Sequence, residues 1–197
     1  MSTLNCTCIL YQTLEDRNNN KAVETSGPGY CNSKKAWLCE GYYFWEAGIE
    51  TAHWWGKRTY ANYAVQKGYI ICQTSYDYAD DNFFDLVGDT THRQDFWDAV
   101  SEVEKAYPNE SFTVAFVLAF MREDDEFFNQ FLAVRAYPTL SRKGLKQLVF
   151  EIGNPSYLEK DPPIQMCIWR DYKSFITDPF VVEGNYKYNR TWISINK

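Results

Sequence analysis

Most of the side chains that could do chemistry in this chain are aromatic. Tyr, Phe and Trp number 15, 13 and 7 among 197 residues, and such rings fill cores or stack on planar ligands. Histidine is limited to His53 and His92, which excludes most histidine-based metal sites and leaves few choices for a Ser-His-Asp triad. The six cysteines contain no Cys-x-x-Cys pair, so we expect no metal. A packed aromatic core and a stacking site for a planar ligand are the two interpretations.

The net charge and the length of the longest apolar run exclude some classes of protein. Twenty Lys and Arg residues stand against 26 Asp and Glu, a net charge of −6, so the chain lacks the basic field used in non-specific binding to nucleic acid or anionic membranes. The longest apolar run, 112–121, is about half a membrane span, and the first residues do not have the pattern of a signal peptide. We expect a cytoplasmic protein with reduced thiols and no membrane partner.

Hydrophobic periodicity and turn residues predict strands and helices in the same chain. Helices are predicted at about 48–66, ending before Gly68, at about 91–107 with a capping box at Thr91, and at 111–136. Strands are predicted at 6–12, 41–45, 69–78, 146–152, 163–169 and within 180–195. Strands at both ends with helices between them favour the α+β class, and one domain over residues 1–197 is the simplest organisation.

A block of the sequence near residue 40 resembles a known family. Residues 38–45 read Leu-Cys-Glu-Gly-Tyr-Tyr-Phe-Trp, and 49–55 read Ile-Glu-Thr-Ala-His-Trp-Trp. This block resembles the glycine–x–tyrosine–phenylalanine strand, and the small-residue, aromatic helix after it, of the ADP-ribosyltransferases in the class of the poly(ADP-ribose) polymerases and diphtheria toxin. Segments 9–13 and 164–169 are weaker matches to the first and last motif strands, in the right order.

The resemblance implies a fold and an activity. The fold is a split β-sheet core with flanking helices, and here residues of about 90–140 would form a helical insertion. Proteins of this family bind NAD without a Rossmann fold, and the chain contains no G-x-G-x-x-G. The implied function is transfer of ADP-ribose from NAD to an unknown protein or nucleic-acid acceptor, as in a toxin or defence effector.

The resemblance also assigns roles to individual residues. Tyr43 is the motif tyrosine that stacks on nicotinamide, and Gly41 is the motif glycine before it. Gln12 and Thr13 lie where the family has its histidine and glycine, and Gln165 opens the strand that normally begins with the catalytic glutamate. Gln165 and Tyr43 are thus the catalytic candidates. Gln12, Thr13, Gly41 and Tyr43 are the NAD-binding candidates, together with Trp54 of the following helix.

The departures from the motif leave alternatives open. A neutral glutamine lacks the negative charge that a glutamate places beside the positive charge developing on ribose in the transition state. Glu40, Glu123 and Glu126 are the carboxylates that could take over this role. The first alternative is a catalytically degenerate module of the same fold that binds NAD, a nucleotide or a partner. The second is an aromatic-rich interaction protein.

Overall fold

The computed structural model describes residues 6–46, 48–62, 64–138, 147–149, 157–159 and 162–187. The strands are β1 (Thr7–Glu15), β2 (Tyr30–Cys31), β3 (Gly41–Glu46), β4 (Tyr69–Asp77), β5 (Phe83–Asp85), β6 (Ala133–Ala136), β7 (Gln147–Val149), β8 (Tyr157–Glu159), β9 (Gln165–Ile168) and β10 (Val181–Tyr186). The helices are α1 (Asn20–Ser26), α2 (Ile49–Thr59), α3 (Thr90–Ala106), α4 (Val114–Met121), α5 (Asp125–Gln130) and α6 (Tyr172–Phe175). The mixture confirms the α+β class.

One mixed sheet organises the described part of the chain. Its strands follow the order β10-β4-β1-β3-β9-β6-β5, and β2 pairs beside β3. The pairs are antiparallel except for β5 with β6, which are parallel. Strands β7 and β8 form a separate antiparallel pair. No helix within the described ranges is long and apolar enough to span a membrane.

Side chains pack on both faces of the sheet, and successive residues of β3 point to opposite faces. Phe44 belongs to a buried cluster with Met166 and Ile168 on one face. Its neighbours Tyr43 and Trp45 point to the other face, where they contact clusters formed with α3 to α5 and with α2. The register of the strands therefore decides which aromatic rings of the motif block can face a ligand.

The second helix is shorter than the periodicity predicts. It ends at Thr59, whereas the apolar pattern extends to residue 66. The Asn62 amide donates to the carbonyl oxygens of Arg58 and Thr59, and its oxygen accepts from the backbone N–H groups of Ala64 and Val65. Asn62 thereby satisfies the last helical carbonyls and starts a turn, which ends the helix.

The long helix predicted for 111–136 is wrong, because this stretch contains α4, α5 and strand β6. The Asp124 carboxylate accepts from the N–H groups of Glu126 and Phe127, which begins a new helix at Asp125. Ala133–Ala136 is a strand because both of its neighbours, β5 and β9, offer backbone partners. The cap of α3 is also corrected: Asp89 accepts from Thr91 and His92, two positions before the predicted capping box.

A buried arginine joins four strands on the Phe44 face. The Arg135 guanidinium of β6 donates to both oxygens of Glu46 of β3 at 2.6 and 2.7 Å, and to Asp85 of β5 at 3.0 and 3.2 Å. The Tyr76 hydroxyl of β4 donates to Glu46 at 2.9 Å, and the Tyr78 hydroxyl donates to Asp85 at 3.1 Å. Burial would lower the pKa of Arg135, but its two carboxylate partners raise the pKa, so the guanidinium stays charged.

Replacing Arg135 with methionine tests this network. We expect Arg135→Met to lower the free energy of unfolding by about 3–5 kcal/mol, because two carboxylates stay buried without their counter-charge. Arg17→Met is the control, since it removes an ion pair with Glu15 in which the Arg17 side chain is 70% exposed, and it should have little measurable effect. Urea unfolding followed by circular dichroism measures both variants. Equal, small losses would contradict this role for Arg135.

Candidate functional site

The sheet opens between β1 and β3. These strands pair at only two positions, Leu10 with Glu46 and Tyr11 with Trp45. From there β1 continues beside β4 as far as Glu15, whereas the other end of β3 pairs with β2. The backbone of β1 therefore loses β3 as a partner at Gln12.

The side chain of Gln12 bridges this opening. Its oxygen accepts from the Gly29 N–H at 2.6 Å, and its nitrogen donates to the Gly29 carbonyl at 3.0 Å and to the Tyr43 carbonyl at 3.1 Å. Gln12 is buried, with 5% of its surface exposed. The amide thus replaces backbone hydrogen bonds that the separating strands no longer make with each other.

A cavity of about 530 Å³ lies at the opening. Its walls come from β1, β3, α2, the first residue of β9 and the segment of residues 29–37. Six aromatic side chains line it: Tyr30, Trp37, Tyr43, Trp45, Trp55 and Tyr60. Lys35 is the one charged side chain among the described lining residues, which include no carboxylate. The cavity combines flat apolar walls with a single positive charge.

Tyr43 offers this cavity its ring rather than its hydroxyl. The hydroxyl donates to the Cys39 carbonyl at 2.7 Å and accepts from the Leu38 N–H at 2.8 Å. These bonds hold the turn at Cys39, whose φ of 68° is in the left-handed region. Burial raises the pKa of Tyr43, so its hydroxyl stays protonated.

Gln165 faces the same cavity from β9. It pairs with Trp45 in the ladder, while Cys167 pairs with Tyr43, so Gln165 and Tyr43 lie on one face of the sheet. The Gln165 side-chain oxygen accepts from the Trp37 indole N–H at 2.6 Å. The structure therefore brings Gln12, Tyr43 and Gln165 together, although they are far apart in sequence.

Thr13 and Gly41 have packing roles. Thr13 lines the cavity, but its hydroxyl donates to the Ala52 carbonyl at 2.9 Å and ties α2 to β1. Gly41 does not line the cavity. A side chain there would place its Cβ 2.6 Å from the Ile168 carbonyl oxygen and 2.7 Å from the Cys167 sulfur. A glycine is needed at this position because β3 packs tightly on β9, whatever the ligand.

Trp55, rather than Trp54, belongs to the cavity wall. Trp54 packs edge-on against Trp45, with ring centroids 6.5 Å apart, and lies 5.5 Å from the Arg58 guanidinium. Trp54, the choice from the motif position, does not line the cavity, since successive residues of a helix point about 100° apart. Lys35 could not be selected from the sequence, because nothing in its neighbourhood predicts that residues 29–37 fold over the opening.

The three alternative carboxylates lie outside this cavity. Glu40 is exposed, and its carboxylate accepts from the Tyr30 hydroxyl at 3.4 Å. Glu126 lines a second cavity of about 380 Å³ with His92 and Asp95, and Glu123 lines neither cavity. None of the three is placed to stabilise a positive charge beside Tyr43.

Comparisons of this chain with protein-family models, with curated proteins and with solved structures found no match. The chemistry of the cavity is therefore what indicates a function.

Replacing Gln12 with methionine tests whether its amide holds the opening together. We expect Gln12→Met to lower the free energy of unfolding by about 1–3 kcal/mol, because buried backbone groups at Gly29 and Tyr43 lose their partner. Gln73→Met is a matched control, since Gln73 is half-buried on β4 and its side chain shows no hydrogen bond with a described residue. Thermal and urea unfolding measure the difference, and similar losses in the two variants would refute the bridging role.

Proposed function

We propose that this protein has an ADP-ribosyltransferase-like fold and that its cavity binds NAD or a related adenine nucleotide. One observation carries the proposal. Gln12, Tyr43 and Gln165, from three separate segments that resemble the family's motifs, line the same cavity. The volume of about 530 Å³ is within the range of small-molecule sites.

The chemistry of the walls favours such a ligand. Aromatic faces such as those of Tyr43 and Trp55 stack on flat heterocycles, which nicotinamide and adenine both provide. Lys35 can pair with a phosphate, and no carboxylate among the described lining residues would repel one. A planar ring joined to an anionic group satisfies both features.

Binding without transfer is the function that the geometry supports best. Cleavage of the bond between nicotinamide and ribose develops positive charge on the sugar, and a carboxylate stabilises it. Gln165 is neutral, and its oxygen already accepts from Trp37. The Tyr43 hydroxyl is likewise occupied by backbone groups. The side chains remaining for a ligand hold it, but they supply no negative charge.

Transfer of ADP-ribose to a protein or nucleic-acid acceptor is the second candidate. It is favoured by the arrangement of Gln12, Tyr43 and Gln165 in the order of the motif. The two candidates differ in one measurable product, because only transfer or hydrolysis releases nicotinamide from NAD.

A pair of adjacent lysines tests the binding proposal. Lys35 lines the cavity, whereas Lys34 is exposed and does not line it. We expect calorimetry to detect NAD binding in the micromolar-to-millimolar range, and Lys35→Met to weaken it about two- to fivefold, as for loss of an exposed ion pair. This loss should shrink at high salt. Lys34→Met should bind as the wild type does. No NAD or adenine-nucleotide binding by the wild type at millimolar ligand would reject the proposal.

Restoring a carboxylate at position 165 separates the two candidates. The wild type should bind NAD and release no nicotinamide above background. Gln165→Glu should raise the release by up to about 10²–10³-fold, because a negative charge is placed beside the developing cation. The assay spans about pH 6 to 9, since burial would raise the pKa of the new carboxyl. Gln165→Met is the uncharged control. Rapid release by the wild type would establish transfer or hydrolysis instead.

A further inference from the structure

Residues 32–37 form a short strap across the cavity, fixed at both ends. On one side Cys31 pairs with Gly41 in the ladder of β2 and β3. On the other side Leu38 is fully buried, and its carbonyl accepts from the Trp169 indole at 2.8 Å. Five of the six strap residues line the cavity: Asn32, Ser33, Lys35, Ala36 and Trp37.

The strap makes few bonds between these anchors. Inside it, the Ala36 N–H donates to the Ser33 carbonyl at 2.9 Å and the Lys35 N–H donates to the Ser33 hydroxyl at 3.2 Å. Among the described residues, the one hydrogen bond between a strap side chain and the sheet joins Trp37 to Gln165, at 2.6 Å. A single side-chain hydrogen bond, made by the last residue of the strap, therefore joins the strap to the sheet.

We propose that Trp37 is a latch on this cavity, displaced when a ligand presents its own N–H or O–H donor to the Gln165 oxygen. The inference deepens the proposed function and rests on it for the identity of the ligand. Without a ligand, the indole N–H satisfies the Gln165 oxygen. A ribose hydroxyl or a carboxamide NH₂ of a nucleotide beside Tyr43 would take the place of this donor.

Replacing the Trp37 indole by a ligand donor changes the affinity by a predictable factor, and it requires that the ligand carry an N–H or O–H donor. One net hydrogen bond of this kind changes an equilibrium by about 2- to 12-fold. Opening the latch therefore reduces the apparent affinity for ligand by up to this factor, because part of the binding free energy is used to displace Trp37. A flat ring without a donor cannot replace the indole at Gln165 and should bind less well than one that has a donor.

The latch is tested first without ligand, by hydrogen–deuterium exchange of the strap amides. Trp37→Phe keeps an aromatic ring but removes the N–H, and Gln165→Met removes the acceptor while keeping Trp37. Both variants should exchange residues 32–37 about 2- to 12-fold faster than the wild type, because the closed state loses one hydrogen bond. Trp55→Phe is the control, since Trp55 lines the same cavity and has no bond to Gln165; it should leave strap exchange unchanged.

A NAD titration of the same proteins completes the experiment. Trp37→Phe should bind NAD about 2- to 12-fold more tightly than the wild type, because no indole competes for Gln165. Strap exchange that is equal in Trp37→Phe, Trp55→Phe and wild type overturns the latch, even if NAD binds. Weaker NAD binding by Trp37→Phe also overturns it. Faster strap exchange with no NAD binding by any variant supports the latch and rejects the proposed ligand.

Discussion

The cavity depends on one physical constraint: backbone groups exposed where two strands separate must find other partners. At the point where β1 leaves β3, the Gln12 amide makes three hydrogen bonds, with Gly29 and with the Tyr43 carbonyl. A buried amide can do this because it carries both a donor and an acceptor. The sheet can therefore stay open at its centre without leaving buried polar groups unpaired.

The other edge of β3 is held rigidly, so the opening has a firm wall. Gly41 lets β3 approach β9 closely, and Arg135 ties Glu46 of β3 to Asp85 of β5 from the opposite face. These contacts fix the position of β3, and with it the positions of Tyr43 and Trp45. The strap of residues 32–37 covers the cavity with far fewer hydrogen bonds. The cavity thus lies between closely packed strands and a strap that makes few hydrogen bonds.

The polar groups that the family resemblance assigns to NAD are already used by the protein itself. The Gln12 amide and the Tyr43 hydroxyl form hydrogen bonds with backbone groups, including those of Gly29 and Cys39. The Gln165 oxygen accepts a hydrogen bond from Trp37. Ring faces and Lys35 remain for a ligand. Under the proposed function, this division favours binding of a nucleotide over its cleavage. Gln165 differs from Gln12 and Tyr43 in that its hydrogen-bond partner is a side chain of the strap rather than backbone.

The sequence alone determined the α+β class and most strand positions, because hydrophobic alternation and turn residues are local properties. The common face of Tyr43 and Gln165 follows from the register of β3 against β9, which only the tertiary structure decides. The sequence did not determine where α2 ends, that β6 is a strand, or that Trp55 rather than Trp54 reaches the cavity. Those outcomes depend on the Asn62 amide, on the strands on either side of β6 and on the rotation of a helix against its sheet. The uses of Gln12 and Gln165 were also decided only by the tertiary structure, because their partners, Gly29, Tyr43 and Trp37, come from distant segments of the chain.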